Sequence, residues 1–328
     1  MLCSGKPGRH TQRRNHLKKA AFLFPGQGSQ TIGMGLEFYE AFDTVRELFD
    51  MAEELVKINL SKLCFKGPME ELTATVNLQP ALTAVNLSAL TVLQQTGIRA
   101  DIAAGHSLGE YSALCAAGVL SREDTIRAVM KRGELMHREA TQNKGAMQAI
   151  IGLSIDAVEQ IVAEAQSEGV VSVANHNARE QIVITGSPPA VQKAADLANS
   201  RNGRSVALKV SGAWHSKLIR GAEIDFKEFL ERLSFRPPEI SVLHNVTADR
   251  ETNPHEIRTL MVTQLCHPVK WYDTMRRLMD DEIEIFVEVG PGSVLSGLLK
   301  KTLPETYPYR IFRINNLKSI DGFLTFIQ

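Results

Sequence analysis

The sequence predicts an α/β fold, in which a large subdomain with a mostly parallel sheet carries a small inserted subdomain. Short apolar strands alternate with helical patterns along residues 20–140 and again along 211–328, as is typical of parallel sheets. Between these two segments, residues 141–210 follow the order β-α-β-β-α-β, which is typical of a ferredoxin-like unit. A chain of 328 residues is long enough to bury a substantial core in this arrangement.

The first large segment begins with a short buried-strand pattern, AAFLFP, followed by a loop rich in glycine. Helical patterns, a second apolar strand and a further helix then follow. The predicted strands are 20–25 and 102–104, the loop is 26–30, and the predicted helices are 36–56, 79–96, 110–117 and 122–139.

In the small subdomain we predict four strands, 146–153, 170–175, 181–186 and 205–210, and two helices, 155–169 and 187–202. The chain then returns to the large subdomain. There we predict helices at 219–233 and 254–265, strands at 240–244 and 283–289, and a last helix at 294–302. The sequence contains no internal repeat and no low-complexity stretch.

Composition excludes several classes of function. The 37 basic and 37 acidic residues balance, so no global field indicates nucleic acid or a membrane surface as partner. No apolar run approaches the roughly 18 residues of a membrane helix. The four cysteines are far apart and form no C-x-x-C pair, which favours a reducing compartment over disulfides or a zinc site. We therefore expect a cytoplasmic protein without metal or cofactor.

Residues 1–19 form a basic leader that differs from the rest of the chain. It carries several lysines and arginines, and no acidic residue precedes Glu37. We predict a disordered leader outside the catalytic fold. The alternatives are an organelle-targeting peptide and a docking arm for an acidic partner.

The most informative motif is G-x-S-x-G at residues 105–109, between a short apolar strand and a helical stretch. In that setting the serine occupies a tight strand-to-helix turn with its Oγ exposed, so Ser107 is a candidate nucleophile. A serine hydroxyl needs a base within hydrogen-bond reach. Among nine histidines, His215 stands out because it directly follows the inserted subdomain. His106 should point away from Oγ and shape the pocket wall, since side chains alternate along a strand.

Five segments together resemble the malonyl-CoA:acyl-carrier-protein transacylases and the related acyltransferases of polyketide synthases. They occur in the family's order and span nearly all of the chain after residue 20. One such motif would be weak, whereas the set is highly specific. The segments are FPGQGSQ (24–30), GHSLGEYSAL (105–114), KRGELM (131–136), GAWHS (212–216) and VEVGPGSVL (287–295). The resemblance implies an α/β-hydrolase-like large subdomain.

The resemblance also implies residue roles. Ser107 would be acylated by the CoA thioester, and His215 would be the general base, oriented by backbone carbonyls in place of a third acidic residue. The backbone N–H groups of Gln27 and Leu108 would form the oxyanion hole. Arg132 would bind the free carboxylate of the malonyl group, because a planar guanidinium pairs with a carboxylate through two hydrogen bonds.

Two further residues, Gln264 and Asn177, match family positions that line the active-site cleft. The chain departs from the family pattern in two places. Trp214 precedes the histidine where malonyl enzymes usually have phenylalanine, and its size should crowd a methyl branch on the acyl group. In the loop 177–181 a common proline is absent, which should affect the carrier-protein side of the cleft.

The function that the resemblance implies is transfer of a malonyl group from malonyl-CoA to the phosphopantetheine thiol of an acyl carrier protein. The expected mechanism is ping-pong with an acyl-serine intermediate, in fatty-acid or polyketide synthesis, and we expect a monomer. One alternative is an acyl hydrolase on the same fold, whose members tend to lack the arginine at position 132. Another is a non-catalytic module that docks carriers, which would be favoured by loss of Ser107, His215 or Arg132.

Overall fold

The fold was analysed in a computed structural model, which describes residues 19–327. It confirms the α/β class. The predicted basic leader lies outside the described residues except for Lys19, whose ammonium pairs with Glu282 and whose carbonyl accepts from the N–H of Glu284.

Nine strands and fourteen α-helices make up the described chain. The strands are β1 Ala20–Phe24, β2 Ile102–Gly105, β3 Ala146–Ile151, β4 Val171–Ala178, β5 Gln181–Gly186, β6 Arg204–Ala207, β7 Ser241–Leu243, β8 Ile285–Val289 and β9 Arg310–Ile314. The helices before the small sheet are α1 Leu36–Ala41, α2 Asp43–Val56, α3 Leu60–Lys66, α4 Met69–Thr73, α5 Thr75–Gln95, α6 Gly109–Ala116 and α7 Arg122–Gln142. The remaining helices are α8 Ile155–Ala165, α9 Pro188–Ser200, α10 Gly221–Leu230, α11 Pro254–Thr263, α12 Trp271–Asp280, α13 Val294–Thr302 and α14 Leu317–Ile327.

The larger sheet has five parallel strands in the order β7-β2-β1-β8-β9. Strands β1 and β2 run in register, with Phe24 opposite Gly105 at their carboxyl ends. The loops that leave these two neighbouring strands therefore meet at the same edge of the sheet. In open parallel sheets this edge is where ligands usually bind.

The smaller sheet has four antiparallel strands in the order β4-β5-β3-β6. In chain order the unit is β3, β4, β5, β6, so its second and fourth strands, β4 and β6, lie at the two edges of the sheet. This is the order expected for a β-α-β-β-α-β unit of the ferredoxin-like type. Helices α8 and α9 bury their apolar faces against the sheet, with Ile150, Val158 and Ile184 in one cluster.

Backbone hydrogen bonds join the small sheet to a segment of the large subdomain. The N–H of His176 donates to the carbonyl of Val269 at 2.9 Å, and the N–H of Val269 donates to the carbonyl of Ala174 at 2.8 Å. Strand β4 of the small sheet is thus connected directly to the segment between α11 and α12 of the large subdomain.

Helix α5 lies at the centre of the large subdomain and is buried along most of its length. Within residues 19–327 it alone has the length and composition of a membrane span, but 89% of its most apolar window is buried inside the protein. Helix α7 packs against it closely because Gly133 has no side chain. A Cβ there would lie 3.1 Å from the carbonyl oxygen of Thr75.

The structure differs from the predicted elements in several regions. Helices α3, α4 and α12 were not predicted. The helix predicted at 36–56 is two helices, because the backbone at Phe42 is extended, with φ −127°. The helix predicted to be last is followed by β9 and α14. Strand β9 pairs with β8, so its position depends on a long-range contact that local sequence does not encode.

Candidate active site

Ser107 lies in a tight turn between β2 and α6, with the left-handed φ of 49°. The turn requires the glycines on either side. A Cβ at Gly105 would lie 2.0 Å from the carbonyl carbon of Gly109, and a Cβ at Gly109 would lie 2.0 Å from the carbonyl oxygen of Phe24. Any side chain at either position would therefore push the helix away from the strands.

His215 is within hydrogen-bond distance of this serine. Its Nε2 lies 2.8 Å from the Oγ of Ser107, and its Nδ1 lies 2.9 Å from the carbonyl oxygen of Gln264. A carbonyl oxygen only accepts, so Nδ1 carries the ring proton and Nε2 presents its lone pair to the hydroxyl. The backbone carbonyl thus occupies the place that a carboxylate has in a Ser-His-Asp triad.

The environment keeps the imidazole neutral. Burial is the main cause, and the positive charge of Arg132 adds to it; together they lower the pKa of His215 to about 3. At physiological pH the ring can therefore accept a proton from Ser107.

Arg132 projects from α7 into the same pocket and is 2% exposed. Its Nη2 donates to the Oγ of Ser107 at 3.1 Å and to the Oε1 of Gln264 at 3.0 Å, and its Nη1 donates to the Oε1 of Gln79 at 3.0 Å. Across residues 19–327, no carboxylate lies within salt-bridge distance of this guanidinium. A buried cation without a direct counter-charge is suited to bind an anionic ligand.

Gln27 and Leu108 line the pocket together with Ser107, around a cavity of about 100 Å³. The loop after β1 approaches the serine turn closely. A Cβ at Gly26 would lie 2.3 Å from the carbonyl oxygen of His106 and 3.6 Å from the backbone nitrogen of Leu108. Two backbone segments therefore meet beside the nucleophile, as an oxyanion hole requires.

The other predicted cleft residues also line or border the pocket. The Nε2 of His106 lies 2.7 Å from the Oδ1 of Asn177, so this pair connects the serine turn to the small sheet. Burial lowers the pKa of His106. The ring of Trp214 lies over Gly212, where a Cβ would come within 2.7 Å of the indole. The structure thus brings all nine predicted site residues together.

Several polar residues of the site were not predicted. Asn245 holds the serine turn: its Oδ1 accepts from the backbone N–H of Ser107 and its Nδ2 donates to the carbonyl of Gly105, both at 2.7 Å. Behind the pocket, Glu110 and His244 form a buried pair. A usable signal existed for His244 and Asn245, because both are polar and directly follow a strand of the parallel sheet.

Comparison with known proteins identifies the family of this chain. Residues 21–319 match the family model described as acyl transferase domain. The chain is 43% identical over 287 residues to the malonyl CoA-acyl carrier protein transacylase of Bacillus subtilis, covering 87% of this chain and 90% of the relative. It is 38% identical to the enzyme of that name from Haemophilus influenzae, covering 94% of this chain and 100% of the relative.

This chain belongs to the malonyl-CoA:acyl-carrier-protein transacylase family. Solved structures of the family superpose on it closely. An acyl carrier protein S-malonyltransferase from Vibrio cholerae has a TM-score of 0.89 at 37% identity, covering 93% of this chain and 100% of that one. A malonyl-transacylase in complex with a holo type II polyketide-synthase acyl carrier protein has a TM-score of 0.90 at 35% identity, covering 94% and 99%. The family resemblance and the fold predicted from sequence are confirmed.

Proposed function

We propose that this protein transfers a malonyl group from malonyl-CoA to the phosphopantetheine thiol of an acyl carrier protein, through an ester on Ser107. The observation that carries the proposal is the buried guanidinium of Arg132, 3.1 Å from the serine Oγ and without a carboxylate partner among residues 19–327. The activities named for the relatives support it.

Acylation begins when the Oγ of Ser107 attacks the thioester carbonyl carbon and its proton passes to the Nε2 of His215. The carbonyl oxygen becomes an oxyanion, which the backbone N–H groups of Gln27 and Leu108 would stabilise. One such donor is worth roughly 3–4 kcal/mol of the barrier. When the tetrahedral intermediate collapses, the carbon–sulfur bond breaks and His215 returns the proton to the departing thiolate.

Transfer to the carrier reverses these steps. The Nε2 of His215 takes the proton of the incoming thiol, and the sulfur attacks the carbonyl carbon of the acyl ester. The bond from that carbon to the Oγ of Ser107 breaks, and His215 returns its proton to the serine. One base serves both half-reactions, which requires that the imidazole be neutral before each of them.

Arg132 would select the acyl group. The carboxylate of a malonyl ester lies a few ångströms from the ester carbon, and where it is removed from water beside Arg132 it needs a fixed partner. The guanidinium would supply that partner at the expense of its contact with the serine hydroxyl. Trp214 lines the same cavity, which supports our expectation that an α-methyl branch is crowded.

The test is Arg132→Ala, compared on malonyl-CoA and acetyl-CoA. Leaving the malonyl carboxylate unpaired costs roughly 2–5 kcal/mol. We therefore expect kcat/KM for malonyl-CoA to fall by at least about 30-fold. Acetyl transfer should stay the same or improve, since acetyl has no carboxylate.

A matched control is Arg138→Ala. Arg138 is on the same helix, but it is partly exposed and pairs with Asp225 at the surface and with the buried carboxylate of Glu139. The Arg138→Ala variant should leave the ratio of the malonyl and acetyl activities unchanged. Equal losses for malonyl and acetyl groups in Arg132→Ala would contradict the proposed role. The monomeric state and the cytoplasmic location stay predictions.

A further inference from the structure

Behind the active-site pocket lies a buried carboxylate that the proposed reaction does not use. Glu110, in the first turn of α6, is 1% exposed. Its Oε1 lies 2.8 Å from the Nδ1 of His244, which is completely buried, and its Oε2 accepts from the Nε2 of Gln264 at 2.5 Å. Burying a carboxylate is costly, so a site that retains one calls for an explanation.

Gln264 connects this carboxylate to the pocket. Its Oε1 accepts from Arg132, its Nε2 donates both to Glu110 and to the carbonyl of Ser107, and its backbone carbonyl accepts from His215. A single residue, Gln264, thus contacts the nucleophile, the base and the carboxylate-binding arginine. Glu110 accepts from the Nε2 of Gln264 on the side away from the pocket.

The chemistry of these groups sets the direction of the amide. The oxygen and the nitrogen of a glutamine amide have similar shapes, so only the neighbours decide which points where. A carboxylate only accepts, and it therefore draws the NH₂ of Gln264 toward Glu110. The amide oxygen is then left facing Arg132. The reverse orientation would place the amide oxygen against the carboxylate and the carbonyl of Ser107, and the NH₂ against the guanidinium. All three hydrogen bonds would be lost.

The same arrangement keeps Arg132 available. Glu110 stays one amide away from the guanidinium, so it does not form a direct salt bridge with it. Gln264 holds Nη2 by a neutral acceptor, and the positive charge remains for an incoming anion. A carboxylate in direct contact with Arg132 would compete with that anion.

We propose that Glu110, held in place by His244, is a positioning residue that fixes the amide of Gln264 and through it aims Arg132 at the acyl carboxylate. The inference rests on the proposed malonyl transfer, because the group that Arg132 binds is the malonyl carboxylate. Glu110 touches no reacting atom, and its effect should therefore appear in substrate discrimination.

The first test is Glu110→Gln, which keeps the shape but offers one acceptor and one donor where two donors converge. The Nε2 of Gln264 then loses its carboxylate acceptor, and the amide is held only by Arg132 and the carbonyl of Ser107. We expect kcat/KM for malonyl-CoA to fall about 10-fold, mainly through KM, and the value for acetyl-CoA to fall less than about 3-fold. Equal losses for both substrates, or no loss for malonyl-CoA, would overturn the proposal.

A double-mutant cycle separates positioning from general stability. If Glu110 acts through Arg132, then Glu110→Gln should not change the malonyl-to-acetyl ratio further in an Arg132→Ala background. Independent effects that add in the double variant would refute the relay. A different result would contradict the proposed function itself: an unchanged malonyl-to-acetyl ratio in Arg132→Ala alone.

Two more variants keep the test decisive. Glu288→Gln is the matched control, since Glu288 is equally buried but binds the first turn of α13 instead of Gln264. This variant should leave the malonyl-to-acetyl ratio unchanged.

If Glu110→Gln does not fold, His244→Phe removes the ring N–H that holds Glu110 and keeps a ring of similar shape. We expect it to lower the ratio about 3-fold, in the same direction, and an unchanged ratio would refute the proposal.

Discussion

At the scale of single residues, the burial of His215 determines how the site responds to pH. In the folded protein its pKa is lowered to about 3, mainly by burial and then by Arg132. An exposed histidine titrates near pH 6.5. The base is therefore already neutral throughout the physiological range, and no proton has to leave the free enzyme before acylation.

We expect kcat/KM for acylation by malonyl-CoA to vary less than about 2-fold between pH 5.5 and 8, because this quantity reports ionisations of the free enzyme. Rapid-quench measurement of the acylated protein at each pH provides the check. A fall of about tenfold per pH unit below 6.5 would show an ordinary histidine instead.

The same shift affects stability. Because the folded pKa lies below the unfolded one, neutral His215 contributes stability above about pH 6.5, which is lost as the pH falls toward 3. His215→Asn lacks this contribution. Its melting temperature should therefore depend less on pH across that window than the melting temperature of the unchanged protein.

At the scale of elements, the strand-turn-helix unit depends on backbone contact. A Cβ at Gly109 would collide with the backbone of β1, which is paired on both sides and cannot move away. Gly109→Ala should destabilise the fold by about 2 kcal/mol or more, as overpacking does. Thermal unfolding measures the loss.

Gly297→Ala is the matched control. Gly297 lies inside α13. Among residues 19–327, apart from its chain neighbours and the backbone of its own helix, no heavy atom lies within 4 Å of the Cβ position. The alanine should raise stability by roughly 0.5–1 kcal/mol, because it favours the helix. Similar melting temperatures for both alanine variants would mean that contact across the turn is not what requires a glycine at 109.

Most elements with a strong local pattern were predicted from sequence, although α3, α4 and α12 were not. The serine turn and the order of the small sheet follow from apolar runs and glycine spacing. Strand β9 and helix α14 were not predicted either. Strand β9 is placed by its pairing with β8, which lies far from it in local sequence terms. Ser107 and His215 could be proposed from motifs, whereas Glu110 gains its neighbours only when α6 and the residues after β7 and α11 pack together.

At the scale of the whole molecule, the catalytic fold should not depend on the leader. Strand β1 begins at Ala20, and Lys19 is the last leader residue with described contacts. A protein that starts at Lys19 should acylate itself from malonyl-CoA at an unchanged rate. Loss of this acylation in a folded truncated protein would contradict the expectation. Loss confined to transfer onto the carrier would support the alternative of a docking arm.

The hydrogen bonds of Val269 with β4 have a consequence for the kinetics of the proposed reaction. They join the two subdomains by backbone, so we expect both thiol substrates to enter through the same mouth above Ser107. Coenzyme A and the carrier both present a phosphopantetheine thiol to that mouth, and only one arm fits beside the serine at a time. Free coenzyme A should then compete with the carrier for the acylated protein. The direction of net transfer follows the concentrations of the two thiols together with those of their malonyl thioesters.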